Sequence, residues 1–519
     1  MPFSNKIKKW WHYEPPEPPT WWKYIIVCCN LVFTLFCIGL NYGLWKLVRE
    51  LDKFFDDYHR VREEVDMKWI IYINIFMFGI TAPLASFLAN KYGHRFTAFS
   101  GAILSTFGLL FAGFTKSVGF LCFSYGILTG IGYSLVLIPG LGLVPRYFPR
   151  RYTFANAMAF LGTSISIYFF PPLFDVVAET YGRRSVFFVL SYLNAQMIIL
   201  TMFLRPPKTK DDVASTASQS PAHQSDVATD TDPDDQTCSE SCSENLEQIK
   251  KYLDVQLFYD SPPFVMMVVS MFFISIGHNV VILNLINHSL AMGNSNTFSE
   301  RLLIVCGGCM FLGELAHGLL SIGLHFRARL SMYGFSLAGV ALVAILSSLP
   351  SSYSGFIIMA ALIGFLSGVY LPLMVVIIKH FIRDGWRLTS ALGLAFPLFG
   401  LGALIGLPIA DLLNESFDNV NSSYFFAGVA LMVGALMLVS TPYLREKQRE
   451  RQNITEKVME SEDEVDASIQ PHLYEEVASS SSVKSSPAHN SKSEKSPTHS
   501  LGSKSHDVEK KETDMANIV

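Results

Sequence analysis

Apolar residues in this chain gather into long runs separated by short polar turns. The runs cover 22–45, 67–89, 96–115, 119–144, 152–176, 185–204, 264–290, 301–324, 330–349, 353–379, 389–413 and 424–443. The hydrocarbon core of a bilayer takes roughly twenty apolar residues of α-helix. Helices and closed barrels alone satisfy their backbone inside it. The pattern therefore predicts an all-α membrane protein with about twelve transmembrane helices. The first run is too long, and too poor in small residues at its end, for a secretory signal peptide. Pro15, Pro16, Pro18 and Pro19 precede it, and Trp21 and Trp22 fall at the expected interface depth. It reads as a retained first span.

Two stretches break the pattern. Residues 205 to about 255 are rich in Ser, Asp, Thr and Gln, and residues 444–519 in Ser, Lys, Glu and His. Neither has enough apolar surface to offset the entropy of ordering, so both are expected to be disordered. The expected organisation is a cytoplasmic N-terminus over 1–21 and a six-helix half over 22–204. A cytoplasmic disordered loop over 205–263, a second six-helix half over 264–443 and a cytoplasmic disordered tail over 444–519 follow. Orientation follows from Lys and Arg in the short loops. One alternate set of loops holds Lys91 and Arg95, then Arg146, Arg150 and Arg151, then Arg205, Lys208 and Lys210, then Arg327 and Arg329, then Lys379, Arg383 and Arg387. The other set is poorer in cations, apart from 46–66, which is also rich in Asp and Glu. The first set is expected to be cytoplasmic, with both termini.

The chain repeats itself. At a constant shift of 236, residues 151–175 match 387–411: Arg151 with Arg387, Thr153 with Thr389, Ala155 with Ala391, Ala159 with Ala395, Phe160 with Phe396, Pro172 with Pro408 and Asp175 with Asp411. Pro139 and Phe148 match Pro372 and Phe381 at a shift of 233. Span 5 thus repeats as span 11, and span 4 as span 10, in the same orientation. Parallel repeats of six helices about an axis along the membrane normal are the architecture of the major facilitator fold, with the substrate held between the halves near mid-membrane.

Composition narrows the function. Hydrophobic residues make up 50% and charged residues 16% of 519, and the net charge of -4 gives no reason to expect nucleic acid as a partner. Of the eight cysteines, Cys238 and Cys242 lie in the polar loop, and no disulfide framework is readable. Cys306-x-x-Cys309 has a metal-like spacing but surrounds Gly307-Gly308 in an apolar run, which favours close packing. There is no nucleotide-binding loop, metal cluster or nucleophile motif, so neither an enzyme nor a bound cofactor is expected.

Tyr147-Phe148-x-Arg150-Arg151, followed by Ala155-Asn156-x-x-Ala159-x-x-Gly162-Thr163, resembles the fifth-span signature of the monocarboxylate transporter family. Asn90-Lys91-Tyr92-Gly93-x-Arg95 resembles its loop between spans 2 and 3, and Gly39-x-x-Tyr42-x-x-x-Lys46 the end of its first span. Two departures mark a divergent member. The family's Asp-Gly-Gly-x-Gly-Trp before span 1 is replaced by Pro18-Pro19-Thr20-Trp21-Trp22. In span 8, Gly313 and His317 stand where the family carries an Asp and an Arg, with Glu314 beside the first. The resemblance implies transport of small organic anions, and that Lys46 meets a substrate carboxylate. Family members often use a single-span ancillary subunit; no motif here decides whether this chain does.

Charged groups inside spans are costly and tend to be functional or paired. Lys46 either receives a carboxylate or snorkels to the interface, with Tyr42 one turn before it on the same face. Gly307, Met310, Glu314, His317 and Ser321 share one face of span 8, which fits a helix lining a cavity. Glu314 and His317 are the candidate proton-coupling pair, and His317 is also a candidate substrate contact; an interhelical hydrogen bond is the structural alternative. His278 and Asn279 read as satisfied polar contacts. Asp175 and Asp411, being repeated, suggest a role in the fold. Arg95, Arg146, Arg150 and Arg151 are candidates for holding helix ends during conformational change. Gly126, Gly130, Gly132, Gly364 and Gly368 read as close-packing or hinge positions. Asn287, Asn414 and Asn421 open acceptor sequons in the expected outer loops, predicting a glycoprotein.

Taken together, the residues point to a plasma-membrane transporter of small organic anions, secondary active (a proton symporter) or facilitative, working by alternating access. The alternatives are facilitated transport of aromatic or neutral metabolites, and a non-transporting sensor or scaffold.

Overall fold

The computed structural model describes residues 19–45, 47–48, 67–115, 117–207, 253–349, 352–382, 387–417, 419–444 and 446. The tail from 447 lies outside the described residues. Among the described residues all regular structure is helical. The membrane helices are α1 (Trp22–Trp45), α2 (Trp69–Ile80, then Ala82–Tyr92 after a bend of 42°) and α3 (His94–Phe114). Next come α4 (Val118–Tyr147), α5 (Tyr152–Tyr181) and α6 (Ser185–Thr201). The second set is α7 (Pro262–Leu283), α8 (Asn296–Leu320), α9 (Phe326–Ile345), α10 (Tyr353–Phe381), α11 (Leu388–Phe417) and α12 (Asn421–Leu444). Ten are individually long and apolar enough to cross a membrane; α2 qualifies as a bent pair, and α6 is a shorter apolar helix. Helix boundaries follow local chemistry. Ser117, Ser295 and Ser352 accept hydrogen bonds from Phe120, Phe298 and Gly355 and so cap α4, α8 and α10. Gly93 ends α2 at a φ of 95°, a conformation that disfavours a side chain.

The repeat seen in the sequence is carried into the backbone. Helices α5 and α11 are each 30 residues long, and their first residues, Tyr152 and Leu388, stand at the same shift as their last, Tyr181 and Phe417. Pro172 and Pro408 both lie inside these helices.

Two seams join the sets of six. Along the first, α2 meets α11. A side chain at Gly79 would sit 2.6 Å from the Gly400 Cα, so the two backbones touch at mid-seam. At the end carrying the basic loops, Asn90 donates to Ser390 (2.8 Å) and His94 Nε2 lies 3.2 Å from the Thr389 hydroxyl. At the opposite end, Tyr72 donates to Asp411 (2.6 Å) and Lys68 pairs with the same carboxylate at 3.6 Å. Along the second seam α5 meets α8, and α10 closes beside it. Asn156 donates to the Pro372 carbonyl (2.8 Å), Arg329 donates to Thr153 (3.3 Å), and Lys379 lies 4.9 Å from the centre of the Tyr152 ring.

One expectation is corrected here. Residues 253–261, assigned to the disordered loop over 205–263, are ordered. A short helix covers Leu257–Asp260, Asp254 takes a bidentate pair of hydrogen bonds from Arg387, and Ser261 donates to the Phe381 carbonyl at 3.3 Å. Partners on α10 and α11 supply the order that this polar stretch lacks by itself. The remainder of that loop, 208–252, lies outside the described residues.

Candidate functional site: a central cavity between the two helix sets

Helices α1, α2, α5, α7, α10 and α11 surround a central cavity that opens to solvent. Its wall is mostly apolar. Phe78, Phe160, Phe396 and Phe399 supply aromatic surface, Ile38, Ile75, Leu371 and Met374 aliphatic surface, and Asn41, Tyr42, Asn279 and Cys37 the polar atoms. Cys37 and Ile38 belong to a π-helical stretch, Leu35–Gly39, which interrupts the α-helical stacking of α1 at the cavity. Such insertions are frequent at functional sites.

The polar wall residues are held from behind. Asn41 donates to the Asn74 side chain (3.0 Å), Asn74 to the Tyr125 carbonyl (2.8 Å), and the Tyr125 hydroxyl returns to Asn41 (2.8 Å), linking α1, α2 and α4. Asn279 donates to the Ser275 carbonyl and hydroxyl on its own helix, at 2.9 and 3.1 Å. Tyr42 reaches across the molecule: its hydroxyl lies 2.9 Å from His278 Nε2, and Tyr370 lies 2.5 Å from His278 Nδ1. This chain of three buried side chains connects α1, α7 and α10. It joins the two helix sets beside the cavity.

The predicted residues of α8 lie elsewhere. Glu314 and His317 are fully buried, but neither belongs to the cavity wall. Glu314 Oε2 lies 2.5 Å from the Ser164 hydroxyl of α5, and Ser164 also reaches the Leu161 carbonyl at 3.0 Å. His317 Nδ1 faces the Glu314 carbonyl at 3.0 Å. Glu314 Oε1 and His317 Nε2 have no hydrogen-bond partner among the described residues. The polar face of α8 therefore points inward, into the contact with α5 and α10. A side chain at Gly364 of α10 would meet the Cys306 carbonyl at 2.1 Å, which shows how close that contact is.

Other expected residues are placed as follows. Tyr42 is on the cavity wall; Lys46 lies outside the described residues. Arg150 and Arg151 are exposed in the turn between α4 and α5, Arg146 is half-buried in the last turn of α4, and Arg95 is half-buried in the first turn of α3. Asp411 joins α11 to the start of α2. The sequon asparagines all lie toward the end opposite the basic loops. Asn287 and Asn414 sit within helices, and Asn421 begins α12, where its Oδ1 accepts from His288 Nε2 at 2.8 Å. Sequence reasoning missed Tyr370, Ser164, and the Asn41–Asn74–Tyr125 set.

The sequence matches the model of the Major Facilitator Superfamily in two stretches, residues 31–323 and 268–488. Among solved structures, the Major Facilitator Superfamily transporter FucP in its outward conformation superposes with a TM-score of 0.54 at 14% identity, covering 80% of this chain and 98% of that one. The chain belongs to the Major Facilitator Superfamily. Within it the chain is similar, at low identity, to several monocarboxylate transporters. Monocarboxylate transporter 13 of Rattus norvegicus is 27% identical over 400 residues, 76% of this chain and 85% of that protein. Monocarboxylate transporter 3 of Gallus gallus is 25% identical over 389 residues, 73% of this chain and 71% of that protein. Monocarboxylate transporter 12 of Rattus norvegicus is 23% identical over 380 residues, 71% and 76% of the two chains.

Proposed function

We propose that this transporter carries small organic anions, monocarboxylates first, by alternating access around the central cavity. The observation that carries this reading is Tyr42 on the cavity wall, where both helix sets meet. Lys46 follows one helical turn later in the sequence, on the same face, and is the proposed cation for the carboxylate. Names of relatives support the substrate class. A proton is the proposed coupling ion, with Glu314 and His317 as its carriers. The basic loops and both termini are proposed to be cytoplasmic, in the plasma membrane; a glycan on Asn453, within its own sequon, would contradict that orientation. Substitution at Lys46 tests the substrate reading. Losing a charge-assisted contact costs on the order of 1.5–3 kcal/mol. Lys46→Gln should therefore lower carboxylate uptake roughly ten- to hundredfold at unchanged surface expression. Normal uptake would leave Lys46 an interface anchor.

A second reading has an observation of its own. Four phenylalanines and two side-chain amides on the wall suit a flat aromatic or neutral solute. Uptake of neutral aromatic solutes with no uptake of acids would favour it.

A further inference from the structure

The cavity has a hydrogen-bonding polarity, and residues behind the wall set it. Tyr42 lines the cavity; His278 and Tyr370 do not. His278 is 1% exposed and Tyr370 fully buried. A neutral imidazole offers one N–H donor and one bare nitrogen acceptor. Two arrangements are therefore available to the chain Tyr42–His278–Tyr370. In the first, Tyr42 donates to Nε2, and Nδ1–H donates to Tyr370. The Tyr370 hydrogen would then turn to the Ser367 hydroxyl. In the second arrangement Tyr370 donates to Nδ1, and Nε2–H donates to the Tyr42 oxygen. The Tyr42 hydrogen is then free of the chain, on a residue of the cavity wall.

The distances favour the second arrangement. Hydroxyl donors make shorter bonds than N–H donors. The Tyr370–Nδ1 separation is 2.5 Å and the Tyr42–Nε2 separation 2.9 Å, which suits a hydroxyl donor at Tyr370 and an N–H donor at Nε2. Ser367 lies one turn before Tyr370 with its own hydroxyl unpaired, a donor available to the Tyr370 oxygen.

The geometry points to a relay, Tyr370 to His278 to Tyr42, that fixes Tyr42 as a hydrogen-bond donor into the cavity and so selects solutes presenting an acceptor, such as a carboxylate. Tyr370 and His278 are positioning residues, acting on the solute through Tyr42. This rests on the reading of the cavity as the substrate site.

Benzoate and benzamide test it. They share an aromatic body suited to the phenylalanine wall; the carboxylate can only accept, whereas the amide accepts at its carbonyl and donates at its NH2. Binding of each to the purified full-length protein in nanodiscs is measured by saturation-transfer NMR, with thermal unfolding as a control for folding. Tyr370→Phe frees His278 to turn its donor away from Tyr42, and should weaken benzoate at least fivefold while benzamide, able to meet either polarity, changes twofold or less; Tyr42→Phe should weaken benzoate likewise. His278→Gln can still accept from Tyr370 and donate to Tyr42, and should keep most of the benzoate affinity, whereas His278→Leu should lose it. A folded Tyr370→Phe protein with unchanged benzoate binding overturns the relay while leaving the carboxylate site in place. Equal weakening of benzoate and benzamide in Tyr370→Phe overturns the relay by making Tyr370 a packing residue. Binding of neither compound overturns the cavity as a carboxylate site, and the relay with it.

Discussion

The cavity wall and the α5–α8 seam both carry buried polar groups and are built from both helix sets, yet they are finished differently. On the wall, Asn41, Tyr42 and Asn279 are each hydrogen-bonded to residues behind them. In the seam, Glu314 keeps one oxygen and His317 one nitrogen without a hydrogen-bond partner among the described residues. Burying a polar group without a partner costs free energy, and burying a charge costs more. A wall that must present fixed polarity to a solute is stabilised from behind. A seam that keeps an unpaired carboxyl oxygen gives up stability at that point, which fits the proposed role of Glu314 as a proton carrier.

The largest effect that would break this comparison concerns how tightly α8 is held. Gly364→Val places a branched side chain against the Cys306 carbonyl, 2.1 Å from where its Cβ would stand. Overpacking of this kind costs on the order of 3 kcal/mol. Size-exclusion chromatography should find little folded protein; a normal yield would mean that α8 and α10 are free to separate.

Next comes Glu314 itself. Glu314→Met replaces the half-satisfied carboxyl with an apolar side chain of similar size. Such replacements are often neutral or stabilising. Thermal unfolding should show a gain of up to about 1 kcal/mol, accompanied by loss of acid-stimulated uptake. Marked destabilisation would make the carboxyl a structural element of the seam. Glu314→Gln sharpens the same point, because it can keep the contact with Ser164. Initial uptake from about pH 5.5 to 8.5, the range in which histidine and perturbed carboxyls titrate, should rise with acidity in the wild type and be flat in Glu314→Gln. A full slope in the variant would place coupling elsewhere.

The smallest effect lies at Asp411. Asp411→Asn removes the ion pair with a partly exposed Lys68 but keeps an acceptor for Tyr72. The expected loss in thermal unfolding is about 0.2–1 kcal/mol and should shrink in high salt. A loss of several kcal/mol would mean that this end of the α2–α11 seam carries more of the fold than its exposure suggests.

How much of this was legible in the sequence depended on whether the signal was local. Helices and their order follow from apolar runs, which one strand of sequence contains. The α5–α11 equivalence was also legible, because Pro172 and Asp175 recur as Pro408 and Asp411 inside membrane helices, where both are rare. The inward face of α8 was readable from the spacing of Gly307, Met310, Glu314 and His317. What it faces was not, since periodicity gives the direction of a stripe and not its neighbour. Glu314 meets Ser164, a residue that looks like any small polar filler in a span. Tyr370 escaped notice for the same reason: a tyrosine in an apolar run reads as packing until His278, from another helix, is brought to its hydroxyl. Order at Asp254 was hidden by composition, because its stabilising partner Arg387 lies far along the chain.

Transport of a carboxylate through the central cavity is tested most directly by uptake into vesicles holding the purified protein. The labelled panel pairs aliphatic and aromatic monocarboxylates with neutral amides of matched shape. The account predicts saturable uptake of at least one acid, blocked by an excess of the same unlabelled acid and faster than that of its amide. Uptake of every acid at the rate of protein-free vesicles, or equal rates for acid and amide, would contradict it.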